Sequence, residues 1–246
     1  MDNHRVSHVL PLLSGLILLC ASLAANAYTI TYDTDDTGTS KTGYRGGWDY
    51  SLELQQWNAA DFGQNARITG AEVSVYLAID ASFYGENVSA SNTSAMRLNY
   101  LDGTITVTGS GDLNDINGTL DVRLTTDWIP LSGYDGTLDY GGTSGSTLSG
   151  GDFSQSLTVV RTLSADQLDD VTGMGQFSLL TTGVSRASLS ASGGSVWMGT
   201  TYAGSIHASV TYTYEDVPLP GTLLLLAPLL PGALRPFRSK REQRRE

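Results

Sequence analysis

Residues 71–80 read AEVSVYLAID, and this stretch decides the fold. Val73, Val75, Leu77 and Ile79 are separated by single residues, so the apolar positions recur with a period of two. Because successive side chains of a β-strand point to opposite faces, this spacing gives one apolar and one solvated face. The stretch predicts a strand of an antiparallel sheet whose apolar face packs against a second sheet.

The same alternation recurs along the chain. It appears at Ile105 and Val107, at Phe177 and Leu179, and in the long stretch 205–215. In that stretch the apolar face consists of Ile206, Ala208, Val210, Tyr212 and Tyr214. We therefore expect an all-β chain, an antiparallel β-sandwich of jelly-roll-like type, over residues 28–216.

Three turn dipeptides with similar continuations punctuate this region. Asp102-Gly103, Asn117-Gly118 and Asp135-Gly136 are each followed by β-forming residues. Glycine supplies the positive φ that tight hairpin turns require, so these dipeptides predict successive turns of a meander. We interpret the similarity as independent use of the same turn chemistry, with a true repeat as the alternative.

Helix signals are few. LSADQLDDVTG, residues 163–173, has Ser164 as a candidate N-cap and Gly173 as a stop, and it predicts a helix of about two turns. SLELQQWNAADFG, residues 51–63, is a second candidate, although Leu52 and Leu54 also alternate as in a strand.

The charge distribution limits the partners. The 246-residue chain has a net charge of −11 and 16% charged residues, against about 25% in typical globular domains. Residues 28–216 contain 22 acidic and seven basic residues. An acidic body argues against nucleic acid, which requires a basic face. The low charged fraction indicates a β surface whose outward positions carry hydroxyl groups.

The first 27 residues are typical of a secretory signal peptide. Arg5 precedes an apolar run over residues 9–23, and Ala25-Asn26-Ala27 forms a small-x-small cleavage site. We expect a signal helix here and cleavage after Ala27, with a membrane anchor or a buried helix as the alternative. Cys20, the only cysteine, lies in the run, so the mature chain is expected to have no disulfide.

The last 30 residues combine an apolar run with a basic end. Residues 217–234 carry no charge and would span about 27 Å as a helix, close to the roughly 30 Å of a bilayer core. This pattern predicts a C-terminal transmembrane helix that acts as a stop-transfer segment, with the body on the outer side. The basic cluster behind it comprises Arg235, Arg238, Lys240, Arg241, Arg244 and Arg245.

A proline motif, an apolar helix and an arginine-rich end, in this order, resemble the PEP-CTERM sorting signal of Gram-negative bacteria. The matching motif is Val217, Pro218, Leu219 and Pro220, with leucine in place of the usual glutamate. Residues 221–234 match the helix and residues 235–246 the basic tail. The resemblance implies transient recognition by an exosortase in the inner membrane, after export by the export machinery and cleavage by signal peptidase. Transfer to the cell surface or outside would follow.

The body is similar to the choice-of-anchor E domain, through residues 134–150, the stretch LDDVTGMGQFSL and the final ASVTYTYE. That family consists of secreted β domains followed by interchangeable anchors, and it implies a fold and a location but no reaction. Sorting signals of this kind resemble those of bacteria that make exopolysaccharide, biofilm or floc.

Chemistry-bearing residues are sparse in the body. His207 is its only histidine, and no G-x-S-x-G elbow accompanies it, so a surface residue is a simpler interpretation than a Ser-His-Asp site. Asp33, Asp35 and Asp36 form a weak calcium candidate, with an acidic surface turn as the alternative. We predict no enzyme and no cofactor.

The densest aromatic cluster comprises Tyr44, Trp48, Tyr50 and Trp57. Exposed aromatic rings stack on sugars, so these residues are candidate glycan contacts, and core packing is the alternative. The sequence thus predicts an exported, non-enzymatic surface or extracellular-matrix protein with a structural or adhesive role linked to exopolysaccharide. A carbohydrate-binding module is the alternative, and a glycan-active hydrolase is a third hypothesis.

Overall fold

The computed structural model describes residues 27–216 except residues 35, 36, 43, 44 and 64, and the side chains of residues 37–42 and 45 are likewise outside the description. The described chain is built of β-strands joined by loops and short 3₁₀ turns. The strands are β1 Ala27–Asp33, β2 Thr37–Thr42, β3 Arg45–Gln55, β4 Ala66–Asn87, β5 Ser94–Gly109, β6 Asn117–Leu124, β7 Ile129–Leu131, β8 Gly145–Thr162, β9 Gln176–Gly193 and β10 Val196–Asp216. The 3₁₀ turns are Ala59–Asp61, Gly111–Leu113 and Asp166–Leu168.

These strands form two antiparallel sheets. The first has the order β1-β10-β4-β8, with β2 also paired to β10, and the second has the order β3-β9-β5-β6, with β7 also paired to β5. The apolar faces of the two sheets enclose a common core. The prediction of an all-β chain made of antiparallel sheets in a sandwich-like arrangement is confirmed.

The pairing runs from the two ends of the described region inward. β1 pairs with β10, β3 with β9, β4 with β8, and β5 with β6. The chain is therefore arranged as one long double ribbon wound into two sheets, with β5 and β6 as its innermost hairpin. Since Ala27 lies opposite Glu215, the two ends of the described region are held together by the sheet itself.

The alternating residues of the sequence face the core as predicted. Val73, Val75, Leu77 and Ile79 are buried on β4, and they lie on the same sheet as the buried face of β10. Complete burial of one such side chain stabilises the fold by about 1.5–3 kcal/mol. The remaining predicted core positions are also buried, with Tyr214 partly so: Ile105, Val107, Phe177, Leu179, Ile206, Ala208, Val210 and Tyr212.

The outward faces carry hydroxyl pairs between neighbouring strands. The hydroxyl groups of Thr31 and Thr211 lie 2.8 Å apart, and those of Thr106 and Thr182 lie 2.6 Å apart. Cross-strand hydroxyl pairs of this kind stabilise sheets without adding charge. They account for the low charged fraction of the sequence.

Two of the three predicted turn dipeptides lie in strands instead. Asp102-Gly103 is in the middle of β5, and Asn117-Gly118 begins β6. The reason is packing: a Cβ on Gly103 would overlap the ring of Tyr202, and one on Gly118 would overlap Val159 Cγ2. Only Asp135-Gly136 lies in a loop, where Gly136 has a φ of 102°.

The predicted helix over residues 163–173 is a single 3₁₀ turn, Asp166–Leu168. The helix does not continue because the backbone of residues 171–173 is hydrogen-bonded to Trp57 instead of to a preceding helical turn. The Trp57 N–H donates to the Val171 carbonyl (2.9 Å), and the Gly173 N–H donates to the Trp57 carbonyl (2.9 Å). For residues 51–63 the sequence allowed either a helix or a strand. Residues 51–55 are the end of β3, and the 3₁₀ turn Ala59–Asp61 follows.

Among the described residues, no helix is long and apolar enough to cross a membrane. The predicted signal helix up to residue 26 and the predicted C-terminal transmembrane helix lie outside the described residues.

Candidate functional site

A row of three charged side chains crosses the outer face of the second sheet. Asp102 on β5 lies directly opposite Arg123 on β6 and Arg186 on β9. Arg186 approaches Asp102 Oδ2 with both Nε and Nη2 at 3.0 Å, and Arg123 Nη1 lies 3.5 Å from Asp102 Oδ1. The carboxylate is thus held between two guanidinium groups, which themselves remain about two-thirds exposed.

An aromatic ring lies beside this row. The Cζ atoms of Arg123 and Arg186 lie 5.6 and 5.8 Å from the centroid of the Tyr100 ring, within the range of cation–π contacts. Further along the outer face of β5, Arg97 lies over the ring of Trp128 at 5.8 Å. Three arginines of this acidic body therefore occupy one face, each next to an aromatic ring.

A β-bulge places Tyr100 and Asp102 on the outer face. The pairing of β5 with β9 shifts register between Leu98 and Tyr100, so Asn99 is an extra residue in the strand. Before the bulge the even-numbered residues Met96 and Leu98 face the core, and after it the odd-numbered Leu101 and Ile105 do. Without the extra residue, Tyr100 would point inward and Leu101 outward.

The row lies in an open depression. A pocket of about 510 Å³ is lined by Asp102, Arg123, Arg186 and their neighbours Thr104 and Val184. A second pocket of about 410 Å³ begins at the same segment of β6 and reaches Asp152 and Phe153 of β8. The two pockets share residues 121–123 of β6, and together they are called the furrow here.

The furrow offers the contacts that an acidic sugar requires. Arg123 and Arg186 have N–H groups left after binding Asp102, since each guanidinium carries five. Thr104 Oγ1 donates to Asp121 Oδ1 (2.6 Å), which orients a second carboxylate at the rim. Guanidinium groups bind carboxylates, acidic side chains accept bonds from sugar hydroxyls, and Tyr100 supplies a planar ring.

The predicted aromatic cluster is divided by the fold. Trp57 is 3% exposed, and its ring stacks on Phe62 with centroids 5.8 Å apart. The Trp48 indole packs against the core between Gly183 and Gly204, and Tyr50 beside it is 40% exposed. Trp57 is therefore a core residue, Trp48 is largely a packing residue, and Tyr44 lies outside the described residues.

The polar candidates are placed as follows. His207 Nε2 lies 3.7 Å from Asp33 Oδ1, and within the described part of the chain no serine hydroxyl is hydrogen-bonded to the imidazole. Asp35 and Asp36 lie outside the described residues, so the acidic turn that includes Asp33 stays a prediction. The described residues contain no group of three or more acidic, histidine or cysteine side chains placed to hold a metal ion.

Almost all of the predicted targeting residues lie outside the residues that the structure describes. Ala27 is the first residue of β1, whereas Ala25, the motif at residues 217–220 and the basic cluster from Arg235 to Arg245 are beyond the described range. Signal cleavage and sorting stay predictions.

Sequence reasoning missed the row on the second sheet. The three charged residues are 21 and 63 positions apart, and only the strand pairing brings them together. One local signal was present: the apolar positions change from even numbers at Met96 and Leu98 to odd numbers at Leu101 and Ile105, which indicates a bulge.

Comparison with known proteins adds little. No protein-family model and no curated protein matches the chain. Among solved structures, the infectious bursal disease virus VP2 subviral particle is 14% identical over 85% of this chain and 48% of VP2, with a TM-score of 0.19. The structure of the Gx strain of that virus is 13% identical over the same shares, with a TM-score of 0.17. The chain spans about half the length of these structures, and TM-scores this low support no inference about fold or function.

Proposed function

We propose that the chain is an exported surface or extracellular-matrix protein that binds acidic exopolysaccharide through the outer face of its second sheet. One observation carries the proposal: Arg123 and Arg186 flank Asp102 in an open pocket of about 510 Å³, and both guanidinium groups also lie next to the Tyr100 ring beside it. The remainder of the body is acidic and would repel a polyanion. Three of the seven basic residues of the body lie on this one face, each beside an aromatic ring, so it is the part of the described surface best suited to such a polymer.

The ligand chemistry follows from the groups on this face. A uronic acid carries one carboxylate and several hydroxyls per ring, which match guanidinium donors and the Asp102 and Asp121 acceptors. An apolar sugar face would pack on Tyr100. The furrow that continues past residues 121–123 toward β8 suits consecutive units of a polymer better than an isolated sugar.

Delivery is the second part of the proposal. Cleavage after Ala27 would leave β1 at the start of the mature chain, and an exosortase-type system would process the tail near residues 217–220. The specific type of sandwich that we propose is a jelly roll, because the strands of the described region pair from its two ends inward. The proposal includes no catalytic step and no cofactor. Cleavage of any polysaccharide by the purified protein would favour the hydrolase hypothesis instead.

Affinity electrophoresis of the purified protein in gels containing a polyuronate tests the binding face. We expect the wild-type protein to be retarded, and the double variant Arg123→Gln and Arg186→Gln to lose at least ten-fold in affinity. Each guanidinium–carboxylate contact contributes roughly 1 kcal/mol or more at an accessible site.

Arg67→Gln is the matched control, because Arg67 is exposed on β4 of the other sheet. It removes one positive charge, as each of the two substitutions in the double variant does, and should retain wild-type retardation. Equal retardation of all three proteins would refute the binding face. Retention on a neutral glucan that is unaffected by the arginine changes would favour the alternative of a carbohydrate-binding module with another site.

A further inference from the structure

The second structural feature that points to a ligand is Glu86, the penultimate residue of β4. Glu86 is 0% exposed, and neither of its carboxylate oxygens has a hydrogen-bond partner. No described basic side chain forms an ion pair with it. Burial of an unpaired carboxylate costs several kcal/mol, so this position calls for a compensating positive charge.

Glu86 points away from the core. Its neighbour Gly85 faces inward, where a Cβ would overlap Met96 Sδ, so Glu86 lies on the outer face of the first sheet. The segment between β7 and β8, residues 132–144, covers it and is called the cover loop here. Asn87 holds both ends of this loop. Its side-chain Nδ2 donates a hydrogen bond to the Ser132 carbonyl (2.7 Å), and its backbone N–H donates one to the Ser144 carbonyl (2.8 Å).

The carboxylate of Glu86 meets the middle of the cover loop. A Cβ on Gly145 would overlap three atoms at once, Glu86 Oε2, the Gly141 nitrogen and the Tyr140 carbonyl carbon. Asp139 Oδ1 accepts a hydrogen bond from the same Gly141 nitrogen at 2.8 Å. Two carboxylates thus approach one peptide group from two parts of the chain.

The cover loop itself carries further oxygen atoms. Asp135 Oδ2 would lie 2.7 Å from a Cβ on Gly142, so a third carboxylate packs against the backbone of the loop. The hydroxyl of Ser144 is buried and has no hydrogen-bond partner. Calcium is bound by six to eight oxygen ligands from carboxylates, carbonyls and waters, and it tolerates irregular geometry.

We propose that Glu86 and the cover loop form a calcium site. Glu86 is its buried ligand, Asp139 its second carboxylate ligand, and neutral oxygens of the loop complete the coordination, in keeping with the absence of a described three-acid cluster. With so few charged ligands, the dissociation constant should fall near 10⁻⁴–10⁻³ M, the range of extracellular calcium modules. Calcium would hold the cover loop on the first sheet, independently of polysaccharide binding on the second.

Terbium luminescence and calcium titration of the purified full chain test this site. Terbium replaces calcium and is excited by nearby aromatic rings; Tyr140 packs against Tyr84 (4.8 Å), and Trp197 lies opposite Glu86 on β10. We expect one calcium per chain to displace the terbium signal. At ten times the dissociation constant, calcium should raise the melting temperature by about 3–6 °C.

Glu86→Gln should lower the calcium affinity at least ten-fold and, in EDTA, melt at or above the wild-type temperature because the buried charge is gone. Glu72→Gln, an exposed change on the same face of β4, should leave calcium binding unchanged. Absence of calcium binding up to 10 mM in the wild type, or wild-type affinity in Glu86→Gln, would overturn the proposal. If Glu86→Gln does not fold, Asp139→Asn replaces it, and unchanged affinity in that variant has the same meaning.

Discussion

Two buried tyrosines of β10 show how single polar atoms shape this core. Tyr202 and Tyr212 are both almost fully buried. The Tyr212 hydroxyl donates toward the carbonyls of Gln55 (2.9 Å) and Val171 (3.2 Å), whereas the Tyr202 hydroxyl has no partner. Burial raises the pKa of Tyr202 to about 12, and it also raises that of Tyr212. We therefore expect the Tyr212 hydroxyl to stabilise the folded state and the Tyr202 hydroxyl to destabilise it.

We predict that Tyr202→Phe is neutral or stabilising at pH 8, because an unsatisfied buried hydroxyl is removed, and that Tyr212→Phe destabilises by about 1–2 kcal/mol. A raised pKa favours the folded state below pH 10, and this advantage is lost as the pH rises from 10 toward 12. The wild type should thus lose stability over this range, with up to about 3 kcal/mol from Tyr202, and Tyr202→Phe should lose less.

Urea unfolding at pH 8, 10 and 11.5, followed by circular dichroism, measures these differences. A Tyr202→Phe variant that is strongly destabilised at pH 8, or that loses stability with pH as the wild type does, would show that the hydroxyl is satisfied.

At the scale of the element, β5 shows what determines whether a glycine marks a turn. Asp102-Gly103 has the sequence of a hairpin turn, yet β5 runs through it from Ser94 to Gly109. Gly103 is required by the opposite sheet, because the ring of Tyr202 occupies the space of a side chain. An inter-sheet contact thus overrides the local turn preference, and Asp102 is consequently available in mid-strand for the charged row.

We predict that Gly103→Ala destabilises the protein by about 1–3 kcal/mol, because its methyl group must displace the Tyr202 ring. Gly70→Ala on β4 is the control: its Cβ would meet only Thr213 Cβ at 3.9 Å, an ordinary contact, and stability should change by less than about 0.5 kcal/mol. Thermal unfolding of both variants gives the comparison. Equal melting temperatures would contradict the placement of Gly103 beneath Tyr202.

The same elements show what the sequence can predict. The period-two stretches, such as residues 71–80, identify strands and their buried faces because burial on one face depends only on residues within the strand. The order of the strands does not follow, because β1 pairs with β10 across almost the whole described chain. The charged row and the burial of Glu86 were missed for this reason: both depend on which strands or loops become neighbours.

At the scale of the whole molecule, the described region has two differently equipped outer faces. The first sheet carries Glu86 beneath the cover loop, and the second carries Asp102 between two arginines. The apolar core lies between these two faces, so the two proposed sites can be tested independently. A cysteine-free sandwich with a hydroxyl-rich surface is compatible with an oxidising extracellular environment.

The central claim is that this sandwich is exported and delivered to the cell surface or matrix. Fractionation of the native cells followed by mass spectrometry of both protein termini tests it most directly. The account predicts a chain that begins at Tyr28 and ends near residues 218–221, recovered from the outer or secreted fraction. The unprocessed chain of 246 residues in the cytosolic fraction would contradict the claim.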